Sequence, residues 1–182
     1  MHPRLTELLA HLDGEHRYLH DAIARGAPAD RLLRPGPDRW SVAEVIEHVA
    51  IVEGRVGTLI ATQVDQARGR GIGPDPDLSP ILPTLGLEQV ARREEKISAS
   101  APVIPRDVVD ADAPTARLDA AYQALITAVR ASDGVNLAEI TVSHPVFGPS
   151  SLYRWIGISG AHKRRHAAQI EETYRDVGGA EH

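Results

Sequence analysis

Long stretches in which apolar residues return every three or four positions, each cut short by glycine and proline, constrain this chain more than any other feature. Leu5, Leu8, Leu9, Leu12, Leu19 and Ile23 keep that spacing from about Pro3 to Arg25, and Val45, Val49, Val52, Val56 and Leu59 carry it on to about Ala67. Leu118, Tyr122, Leu125 and Val129 mark a third stripe, and a fourth helical segment runs from Leu152 to about Val177. A period near 3.6 places such residues on one face of a helix, and that face must be buried against another element. Four long helices with medium-length connections read as an all-α four-helix bundle. With 182 residues, 42% of them hydrophobic, the chain can bury a sizeable core without staples, and it reads as one domain, residues 1–182.

The boundaries carry their own signals. Gly26, Pro28 and the run RPGPDRW (Arg34 to Trp40) break the first helix. Ser41 and Glu44 have the S-x-x-E spacing of a capping box, with Trp40 placed to pack just before the cap. From Gly69 to Pro83 the glycines and prolines come in quick succession, which predicts a long loop, more often functional or mobile than merely connecting. The run LEQVARREEKISAS (Leu87 to Ser100) reads as a short extra helix before the third long one, and Thr115 as the cap of that third helix. Asp133-Gly134 ends it, AEITVSHPVFGP reads as a structured loop too short to build a sheet, and Ser150 or Ser151 starts the last helix. Gly178-Gly179 supplies its stop.

Composition narrows the chemistry. A net charge of −5 gives no surface for nucleic acid. The absence of cysteine removes thiolate nucleophiles, disulfides and Cys-type zinc sites, so any metal must be held by imidazole or oxygen. The polar start of the chain and the lack of any apolar run approaching 18 residues predict a soluble cytoplasmic protein with no membrane partner.

The nine histidines then matter by position. His162 and His166 are four residues apart, which sets both imidazoles on one helix face, close enough to share an ion. His48 adjoins the apolar stripe of the second helix; joined to that pair it completes three neutral nitrogen donors from two helices. Three histidines with an open position describe a catalytic metal site better than a closed structural one. Glu44, one turn before His48, and Gln169, three residues after His166, are placed to orient an imidazole, although the capping box already accounts for Glu44. Arg164 and Arg165 flank the pair, where they attract an anionic substrate or simply decorate the surface. His16 and His20 have the same spacing, but the run DGEHRYLHD around them reads as a solvated face. His144 precedes Pro145 in a loop and is a candidate general base if that loop folds inward.

Three passages together resemble the DinB-like (DinB/YfiT) superfamily of metal-binding four-helix bundles. RWSVAEVIEHVAIVE (Arg39 to Glu53) looks like that family's second-helix motif, GAHKRRHAAQI (Gly160 to Ile170) like the H-x-x-x-H motif of its last helix, and HPVFGPSSLYRWIGI (His144 to Ile158) like the loop leading into it. The resemblance implies an up-down-down-up bundle with one divalent ion, zinc or nickel, held by His48, His162 and His166. It also implies homodimers in many members and a small-molecule substrate. The chemistry it implies is transfer using a low-molecular-weight thiol, or metal-dependent hydrolysis. The competing expectation is a metal-binding protein without turnover, either a stress-related scaffold or a bundle stabilised by its ion.

Overall fold

Each long helix starts where a local donor or acceptor meets its unpaired backbone groups. The computed structural model describes residues 1–93, 99–106 and 108–178. Helix α1 spans Pro3–Ala24, with proline in its first turn and the His2 ring accepting from the Arg4 N–H at 3.3 Å. Helix α2 (Val42–Gly69) opens with the full capping box: Ser41 Oγ accepts from Glu44 N at 3.3 Å, and Ser41 N donates to Glu44 Oε2 at 2.8 Å. It closes on Gly71, whose φ of 77° lets Gly71 N reach Arg68 O and Ile72 N reach Ala67 O. The short α3 (Glu88–Ala91), α4 (Ala113–Ala131) and α5 (Leu152–Gly178) follow.

Paired residues fix the directions of the four long helices. His11 meets Gly157 and Ile23 meets Tyr174, so α1 and α5 run parallel. Glu47 pairs with Arg117 and Arg68 reaches Ala131, so α2 and α4 run parallel. Arg39 pairs with Glu172, whereas Glu53 pairs with Lys163, which makes α2 antiparallel to α5. The arrangement is an up-down-down-up all-α bundle. α1 lies close on α5 because Gly160 has no side chain; a Cβ there would overlap the His11 ring.

The core has two main parts along the helices. Leu5, Leu8, Leu12, Val56, Ile60, Leu125 and Ile156 pack toward one end, and Leu19, Ile23, Val45, Ile46, Val49, Leu118 and Ile170 toward the other. Each fully buried Leu or Ile of this kind contributes about 1.5–3 kcal/mol. Between the two levels lie Glu53 and Lys163, an ion pair with both side chains 1% exposed.

Three local expectations change. The segment read as a loop contains an antiparallel hairpin, β1 (Thr141–His144) with β2 (Gly148–Ser151). It forms because Gly148, at φ 66°, closes a three-residue connection after His144. α3 stops at Ala91, where Arg92 turns extended (ψ 143°), and part of the helix expected over Leu87–Ser100, residues 94–98, lies outside the described residues. α4 begins two residues before Thr115, with Asp110 Oδ1 accepting from the backbone N–H groups of Asp112 and Ala113. The glycine- and proline-rich loop after α2 does not cover the histidines. It is tied across the start of α1, where Arg4 meets Asp75 at 2.8 Å and also binds Asp77 and Ser79. Glu7 accepts from the backbone N–H of Ile81 at 2.7 Å and from that of Leu82. Among the described residues no helix is long and apolar enough to cross a membrane.

Candidate metal centre

Antiparallel packing of α2 on α5 carries His48 to the face that bears His162 and His166. His48 Nε2 stands 3.3 Å from His162 Nε2, and His166 Nε2 stands 3.0 Å from the same atom. Two nitrogens bound at about 2.0–2.1 Å to one tetrahedral ion stand about 3.3 Å apart, so the spacing suits a shared cation.

The other ring nitrogens decide which protons are present. His48 Nδ1 donates to Val103 O at 2.7 Å, and His166 Nδ1 donates to Gln169 Oε1 at 2.8 Å. Both rings therefore carry their proton on Nδ1 and aim bare Nε2 lone pairs inward. A single proton on His162 Nε2 can satisfy one of these two acceptors, not both. A cation at their common focus satisfies all three rings.

Burial keeps the group neutral. His162 is held well below its ordinary pKa by desolvation and then by its two histidine neighbours, and desolvation with His48 takes His166 down to about 3. Desolvation also lowers His48, against the Val103 bond. Neutral imidazole is the form that ligates a metal.

The three nitrogens open onto a cleft of about 1510 Å³. Val52, Val56, Val103, Phe147, Trp155 and Ile158 give it an apolar wall, and Arg39, Arg55, Arg93, Arg165 and Glu172 line it as well. Apolar surface with converging polar groups is the usual setting for a small ligand. Trp40 lies beside the His48 ring, centroids 5.0 Å apart, and lines the same cleft.

The remaining candidates separate clearly. Gln169 holds His166 as described. Glu44 does not reach His48: its oxygens are taken by Ser41 N and the Arg34 guanidinium, and Val103 O orients His48 instead. His144 does line the cleft, its ring 4.4 Å from Trp155. Its Nδ1 accepts from Val146 N at 3.1 Å and Phe147 N at 3.3 Å, so the neutral ring presents Nε2–H as a donor rather than a basic nitrogen. Arg164 turns away to Glu15, 2.8 Å, and lies over Tyr18. Arg165 lines the cleft and donates to Arg92 O. Sequence reasoning missed Val103, because a backbone carbonyl on a turn after a non-periodic segment leaves no residue-type signal.

His16 and His20 do not sit on a freely solvated face. His16 stacks on Tyr122 with centroids 3.8 Å apart, and His20 Nε2 meets Asp119 at 2.7 Å.

Comparison with known proteins agrees with this architecture. The model of the DinB superfamily matches residues 27–170, a span that includes all three converging histidines. The chain is also similar to an uncharacterized protein of Bacillus subtilis (strain 168), YuaE, with 24% identity over 145 residues, covering 79% of this chain and 83% of that protein. No solved structure matches. On the family match over most of its length, the chain belongs to the DinB superfamily.

Proposed function

We propose that this protein is a divalent-metal-dependent enzyme that acts on a small molecule in the cleft, with His48, His162 and His166 holding the ion. One observation carries the reading: three inward-facing imidazole nitrogens meet at an apolar-walled cleft, and no further His, Asp or Glu joins the group among the described residues. Three protein donors with room for an exogenous one is the arrangement of catalytic sites, whereas structural sites are closed. Three imidazoles suit zinc and nickel.

A bound ion would supply Lewis acidity, lowering the pKa of a thiol or water that reached it. The chain has no cysteine, so a sulfur nucleophile would arrive on a low-molecular-weight thiol. Thiol transfer is the reading we favour, because a cleft of about 1510 Å³ has room for a co-substrate beside its electrophile. The protein's own residues do the rest. Val103 O and Gln169 keep two imidazoles turned inward, Trp155 and Phe147 give the wall apolar surface beside His144, and His144 Nε2–H is available to a leaving group or developing anion.

The test is to strip the protein with a chelator, restore zinc or nickel, and follow loss of free thiol in the presence of an alkylating electrophile. Metal-dependent thiol loss that disappears in His162→Ala supports transfer. Metal-dependent ester cleavage without thiol loss would assign hydrolysis instead. Turnover that is equal with and without metal would overturn the reading.

A further inference from the structure

The second i, i+4 histidine pair has a partner the sequence did not reveal. His16 and His20 lie one turn apart on α1, and Asp119 faces them from α4. Both imidazoles aim Nε2 at one oxygen, Asp119 Oδ1, at 3.4 Å from His16 and 2.7 Å from His20. One donor atom from each of the three residues falls within 4.8 Å of the others.

His16 is the telling member. It is fixed by its stack on Tyr122, with an interplanar angle of 9°, and Tyr122 is itself held by the Lys163 ammonium 4.4 Å from its ring and by a bond to Asp13. Its side chain is only 13% exposed, and its Nδ1 is buried with no hydrogen-bond partner among the described residues. Its Nε2 stands 3.4 Å from Asp119 Oδ1, close to the separation of two donors on one tetrahedral ion, about 3.3 Å, whereas His20 Nε2 at 2.7 Å is hydrogen-bonded to that oxygen and must draw back by about half an ångström to share an ion with it. Asp119 is half exposed and His20 about one-third exposed, so the open side of the cluster admits an ion and its waters.

We propose that His16, His20 and Asp119 form a second divalent-metal site, separate from the three-histidine centre, that takes a zinc- or nickel-class ion and braces α1 against α4. Two imidazoles and one carboxylate are a donor set such ions accept, with water completing the sphere. The site shares no ligand with the other centre and does not depend on its reading.

The test is a calorimetric titration of the chelator-stripped full chain with zinc ion alone. Wild type takes up two ions per chain. His20→Ala and Asp119→Asn, both at partly exposed positions, each take up one fewer, and His48→Ala also takes up one fewer. In the His48→Ala background, zinc still raises the melting temperature, and adding Asp119→Asn abolishes that rise. If the three-histidine centre alone fails, wild type takes up one ion, lost in His20→Ala and kept in His48→Ala. Equal uptake by wild type, His20→Ala and Asp119→Asn would overturn the second site.

Discussion

The chain uses the same four-residue histidine spacing twice, and the two pairs differ in what surrounds them. His162 and His166 on α5 meet a third imidazole across a helix interface, with both outer rings held by acceptors at Nδ1. His16 and His20 on α1 meet a carboxylate, and nothing holds the His16 Nδ1 among the described residues. The first cluster looks into a large cleft; the second lies on the edge between α1 and α4. The spacing sets donors on one face. The facing helix decides what chemistry that face acquires.

Between the clusters runs the buried Glu53–Lys163 pair, which neighbours His162 along α5 and Tyr122 in space. Breaking it tests whether one strut supports both. Lys163→Met leaves Glu53 buried and unpaired, and we expect it to lower stability by about 3–5 kcal/mol in urea unfolding. The loss should weaken zinc uptake at both clusters together; selective loss at one would show that the pair serves that cluster alone.

A smaller effect separates the clusters by their outer partners. Gln169→Leu removes the acceptor of His166 Nδ1–H, and we expect an affinity loss of about 10–100-fold at the three-histidine centre. Uptake at the Asp119 cluster should not change, and isothermal titration reads both.

Acid gives a third arm, because the fold has its own acid limit elsewhere. Burial alone would raise the Asp75 pKa, but the Asp77 N–H, the Arg4 guanidinium and the Tyr153 hydroxyl together hold it below the ordinary carboxylate value. A depressed carboxylate contributes stability that is complete above its unfolded pKa of about 3.9 and is lost as pH falls through the folded value. Asp75→Asn should therefore flatten the stability drop below about pH 4 and leave its pH dependence above 5 unchanged. Metal release measured above pH 5 then reports the imidazoles rather than this network. The smallest change is Glu44→Ala, which loses about 1 kcal/mol with its half of the capping box and leaves zinc affinity unaltered.

The parts of the fold set by local pattern were legible. Three 3.6-residue stripes, a fourth helical segment and the Ser41–Glu44 box gave the long helices, and the His162/His166 spacing gave two of the three histidines of the candidate site. The hairpin was hidden because Gly148, Pro149 and two serines make a strand of low propensity that depends on one positive φ. Asp119 was hidden for another reason. It is one polar residue on a partly exposed helix face, and only the antiparallel register of α1 on α4 gives it meaning. Partners fixed by register rather than by neighbours in sequence, Val103 for His48 among them, are invisible to periodicity.

The most direct test of the three-histidine centre is the metal content of the protein purified without a tag, set beside His162→Ala. His162 is the residue to remove because both other Nε2 atoms face it, at 3.3 and 3.0 Å. We predict that wild type carries zinc or nickel at this centre and that His162→Ala contains one ion fewer per chain while remaining folded. The same metal content in both proteins would contradict it.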